Sequence, residues 1–94
     1  MAPRVARLVI ARGRVQGVGY RRFAVDAAVR HGVAGWVRNV RDGTVEAHGE
    51  GEARAVGRWL DELRRGPSSG TVDTLEVREV AETDASGFRI EHTR

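Results

Sequence analysis

The chain has 94 residues, 40% hydrophobic and 31% charged, with no cysteine. That length fits one domain, expected over 1–94, with a modest core, and the missing cysteine excludes disulfides, thiol nucleophiles and thiolate metal sites. No run approaches the roughly 18 apolar residues of a membrane helix, and the N-terminus lacks a signal peptide's apolar stretch, so a cytoplasmic chain is expected.

In chain order, residues 4–12 predict a strand ended by Gly13. From Tyr20 the period changes: Tyr20, Phe23, Ala24, Ala27, Ala28 and His31 form a helical stripe, and Gly32 is the predicted residue after its end. Residues 33–40 read as a second strand, and Asp42-Gly43 is a hairpin signal. In 44–50, Val45, Ala47 and Gly49 face one side, and Thr44, Glu46, His48 and Glu50 the other. A second helix is expected over 52–65, with Ala53, Val56, Leu60 and Leu63 as its stripe and Trp59 beside it. A Gly/Pro/Ser loop precedes a strand over 72–80, a turn is expected at 83–87, and Phe88-Arg89-Ile90 is a short last strand. The order β-α-β-β-α-β predicts a ferredoxin-like α/β sandwich: an antiparallel sheet, two helices on one face, and an added terminal strand.

All sixteen basic residues are arginine, and the formal net charge is +3. Residues 1–41 hold nine Arg against one Asp, whereas 42–94 hold seven Arg against twelve Asp or Glu. Such a field steers a small anion toward the N-terminal half. That half contains Gly13-Arg14-Val15-Gln16-Gly17-Val18-Gly19-Tyr20-Arg21, with three glycines directly before the first helix. Glycine lets backbone approach a ligand, and the unpaired N–H groups of a helix start favour an anion. Val15, Gln16, Gly17, Val18, Gly19 and Tyr20 therefore read as a phosphate cradle, with the Arg21 fork as its clamp.

Phosphoryl hydrolysis also needs an in-line water and a leaving group that departs. Asn39, an unfavourable residue in an apolar strand, can hold a water by donating and accepting hydrogen bonds. The loop has no His, Asp or Glu to protonate a leaving oxygen. A carboxylate leaving group, with a conjugate-acid pKa of about 4, needs no such acid, so an acyl phosphate suits the site and an alkyl phosphate does not.

Residues 13–21 closely resemble the first signature of the acylphosphatases. Gly35-Trp36-Val37-Arg38-Asn39, followed by Gly43-Thr44-Val45 and Gly51, resembles the second in type and spacing. The resemblance covers the whole chain. It implies the ferredoxin-like fold and hydrolysis of acyl phosphates to carboxylate and phosphate without metal or cofactor. It further implies that Arg21 binds the phosphate, Asn39 orients water and the backbone of 15–20 forms the cradle. Tyr20 stands where phenylalanine is commoner, and Ala11 replaces a larger aliphatic residue.

Blander roles stand beside these. The glycines also suit a tight strand-to-helix turn, Arg21 a solvated arginine, and Asn39 a structural amide. Arg22 reads as a surface residue, His48 as solvated, His31 as a helix cap, and Trp36 and Trp59 as packing. No histidine pair has metal-ligand spacing. An RNA-binding module shares the topology, but strands 4–12 and 44–50 carry no aromatic for base stacking. A non-catalytic domain of the same family is the other alternative. The expected partner is a small acyl phosphate, with no nucleic acid and no membrane, and a monomer is expected.

Overall fold

The computed structural model describes residues 2–94. Its elements are β1 (Arg4–Arg14), α1 (Tyr20–His31), β2 (Ala34–Asn39), β3 (Val45–Glu52), α2 (Ala53–Arg65), β4 (Thr71–Val80) and β5 (Phe88–Ile90). The predicted order and types are all present. One sheet runs β4-β1-β3-β2-β5. The first four strands pair antiparallel, and β5 joins β2 parallel, so the sheet is mixed rather than wholly antiparallel. This is the expected ferredoxin-like sandwich.

Alternation builds the core. Val77, Val9, Ala47 and Val37 are cross-strand neighbours in one row, and they pack against α1 and α2. The predicted stripe of α2 is buried through Val56, Leu60 and Leu63, and Trp59 is fully enclosed. Its indole Nε1 donates to the Ala24 carbonyl of α1 at 3.2 Å, and its ring lies over Gly49, where an added Cβ would stand 2.3 Å from the indole. In α1, Val25 is also buried, beyond the predicted stripe. Gly32 closes α1 as predicted, in the left-handed region with its N–H on Ala28 and Val29. His31 does not cap the helix. Its Nε2 lies 2.5 Å from Glu62 and ties α1 to α2.

Two further expectations are corrected. His48 is not solvated: it points away from the helices, as does Glu50, and the two are buried, 5% and 1% exposed. The covering segment is the predicted turn at 83–87, which is no tight turn: residues 81–86 carry no regular structure or turn, and the chain bends only at Gly87. Residues 81–87 form a strap from β4 at one sheet edge to β5 at the other. Four strand spacings of about 4.8 Å make a crossing of about 19 Å. The eight Cα steps from Val80 to Phe88 reach at most about 29 Å, so the strap must run largely extended to make the crossing. It crosses where Glu50 is flanked by the small residues Ala6 and Ala34. Trp36 stacks on His48, ring centroids 6.1 Å apart, and completes the cover.

Candidate active site

At the end of the sheet where β1 and β2 finish, residues 15–19 lead into α1. Val15 anchors the loop in the core at 1% exposure. Gly17 and Gly19 have φ of 73° and 80°, a region costly for other residues. Gly19 is the N-cap without a side-chain cap, and the first helical bond runs from Phe23 N–H to Gly19. Among the described residues, the N–H groups of 16–22 have no backbone acceptor. Such unpaired donors at a helix start are the groups that an anion can satisfy.

Side chains fix the loop on both flanks. The Gln16 amide donates to the carbonyls of Val40 at 2.7 Å and Thr44 at 2.8 Å, lashing the loop to the β2–β3 hairpin. That hairpin is held by Asp42, which accepts from the Thr44 hydroxyl and N–H and stays below the usual carboxylate range for that reason. On the other flank Ser69 donates to the Val18 carbonyl at 2.9 Å. Val18 is half-buried and packs against the core.

A cavity of about 220 Å³ opens beside the loop, lined by Val15, Gly17, Gly19, Tyr20, Arg21, Arg22, Asn39 and Ile90. The structure thus brings Arg21 and Asn39, 18 positions apart in the chain, to one concavity. Arg21 is half-buried and, among the described residues, makes no ion pair or side-chain hydrogen bond. Arg22, its neighbour, pairs with Asp26 at 3.3 Å. The Asn39 Oδ1 is buried without a partner, which is costly unless a ligand or water supplies one. The lining contains no Asp, Glu, His or Cys.

Four of the six predicted cradle residues line the cavity, and Gln16 and Val18 stand behind it. The Tyr20 hydroxyl faces away and donates to the Leu63 carbonyl at 2.8 Å. Burial pushes its pKa up, so it remains a neutral donor. Sequence reasoning missed one member. Arg22 is an exposed surface arginine as expected, although it also borders the cavity, whereas Ile90 had no local signal, because only the strap carries β5 to the edge of β2.

The acylphosphatase family model matches residues 7–90. The chain belongs to the acylphosphatase family. An acylphosphatase of Nitrobacter hamburgensis is 51% identical over 77 residues, covering 82% of this chain and 78% of that protein. The crystal structure of the Bacillus subtilis acylphosphatase superposes with a TM-score of 0.90 at 33% identity, covering 93% of this chain and 98% of that one. The same unit occurs inside a larger protein: full-length HypF, in its phosphate- and nucleotide-bound form, gives a TM-score of 0.91 at 28% identity, covering 99% of this chain and 12% of that chain. Acylphosphatase family and ferredoxin-like fold together support an enzyme acting on acyl phosphates. No helix among the described residues is long and apolar enough to cross a membrane.

Proposed function

We propose that the cavity hydrolyses the carboxyl–phosphate bond of acyl phosphates, with Arg21 and the 15–20 backbone binding the phosphate and Asn39 orienting the attacking water. The observation that carries this is that one cavity is lined by Arg21, which has no side-chain partner among the described residues, by Asn39, and by Val15, Gly17, Gly19 and Tyr20 of the loop. The cation and the N–H groups complement charge on the phosphoryl oxygens. The Asn39 side-chain amide holds the water by hydrogen bonding and turns an oxygen lone pair toward phosphorus.

The water oxygen bonds to phosphorus as the bridging P–O bond breaks. The acyl oxygen leaves as a carboxylate, and both protons of the water end on the phosphate. The leaving group is acidic enough to depart unprotonated, which suits a lining without an acid. Charge stabilisation comes from Arg21 and backbone donors, so turnover independent of metal is expected.

The test is hydrolysis of synthetic benzoyl phosphate in EDTA and ¹⁸O-labelled water. Turnover should persist, inorganic phosphate should inhibit it, and the label should appear in phosphate. Release no faster than the uncatalysed background, or label in benzoate, would exclude the proposed role of the cavity.

A further inference from the structure

Glu50 is the most deeply buried charged side chain among the described residues, and the hydrolysis above makes no use of it. Its carboxylate accepts from Thr83 N–H at 3.0 Å, Thr83 Oγ1 at 3.0 Å, Ala85 N–H at 2.9 Å and His48 at 2.5 Å. The two N–H groups flank Asp84, at φ 57° the one non-glycine residue with positive φ among those described. Donors from alternate residues closing on one anion form a nest, here filled by the protein's own carboxylate.

The position of this contact matters. β3 is the central strand, and Thr83–Ala85 is the middle of the strap, so Glu50 holds the crossing at its midpoint. Beyond the strap, β5 is only three residues long and pairs with β2 on one side. It is held at its start by Gly35 N–H on Gly87 and at its end by Glu91 N–H on Val37, both 2.8 Å. Phe88 packs edge-on against Trp59, centroids 5.6 Å apart. Two residues later Ile90 reaches the cavity, 44% exposed. The phosphate end is met by Arg21 and the N–H array, and Val15 is fully covered. Ile90 is thus the exposed aliphatic side chain of the lining, placed to meet the acyl group.

We propose that Glu50 is a positioning residue for the cavity: it pins the strap, the strap sets β5, and Ile90 on β5 forms the wall that favours acyl phosphates with a bulky apolar acyl group. This rests on the reading of the cavity as the acyl phosphate site. Thr83 shares the role, because its side chain and N–H both engage the carboxylate.

The experiment compares wild type, Glu50→Gln, Thr83→Val and Ile90→Ala on benzoyl phosphate and acetyl phosphate, with inorganic phosphate as inhibitor. Glu50→Gln and Ile90→Ala should each raise KM for benzoyl phosphate about tenfold, the scale of a lost apolar contact. In Glu50→Gln, KM for acetyl phosphate, kcat on both substrates and the phosphate inhibition constant should stay within about twofold. Thr83→Val changes an exposed residue and keeps its branching. It should shift the KM ratio in the same direction by less, and it carries the test if Glu50→Gln does not fold. An unchanged KM ratio in folded variants, or an equal fall of kcat on both substrates, overturns the positioning role. Wild type that turns over neither substrate and is not inhibited by phosphate instead removes the site reading itself, and this inference with it.

Discussion

Asn39 carries an unusual cost. A buried acceptor without a partner costs about 1–3 kcal/mol, and Oδ1 is such an atom in this structure. If the amide served the fold, its removal would destabilise. If it serves a water, Asn39→Ala should leave thermal stability unchanged or raise it by about 1 kcal/mol. Turnover should then fall about a hundredfold while inhibition by phosphate is kept. Arg21→Ala should behave differently, because in the proposed role the guanidinium meets the phosphate in both ground and transition states. About 3 kcal/mol or more should be lost from kcat/KM, together with phosphate affinity. Melting curves and phosphate inhibition constants measured on both variants separate the two roles. A large fall in melting temperature for Asn39→Ala would return that residue to the structural assignment.

At the scale of elements, the sheet and helices meet at a fitted contact. The Trp59 ring occupies the space above Gly49, and the indole also reaches Ala24 on α1, so one side chain joins β3, α2 and α1. Gly49→Ala drives a methyl into that ring and should cost about 1–3 kcal/mol as overpacking. For a domain of this size that lowers the melting temperature by roughly 4–8 °C per kcal/mol. Kinetic constants should hold at temperatures where the variant is folded, since neither residue lines the cavity. The elements themselves were legible because each carries a local period: alternation in β3, a helical stripe in α2, glycine at the end of α1. The loop and Asn39 were legible because glycine spacing and a polar residue in an apolar strand are local signals too. The strap was not. Thr83-Asp84-Ala85-Ser86-Gly87 has turn composition, but its conformation is set by a carboxylate 33 positions away in the chain. Ile90 was hidden because its place depends on where the strap ends, and His48 looked solvated because alternation reports which face a residue takes and not what covers that face.

Across the whole molecule, the strap makes stability depend on acid in a defined way. Burial alone would raise the Glu50 carboxyl, but hydrogen bonds from His48, Thr83 and Ala85 outweigh it and hold the pKa at about 2. The unfolded chain would titrate Glu50 near its ordinary value of 4.5. A carboxyl depressed on folding stabilises the native state fully above the unfolded pKa, and that contribution is lost as pH falls toward the folded one. Wild type should therefore keep its melting temperature down to about pH 5 and lose it progressively toward pH 2. Asp42, Glu62 and Glu76 are also held low, so the wild-type curve alone does not isolate the strap. Comparison with Glu50→Gln does. At pH 7 the variant should melt below wild type, since a neutral amide offers one acceptor oxygen to a site built from donors. As pH falls the two curves should converge, because protonated Glu50 and glutamine then differ little in charge. Melting temperatures at pH 7, 5, 3 and 2 provide the check. Parallel curves across that range would mean that the Glu50 carboxylate contributes shape to the crossing and no charge.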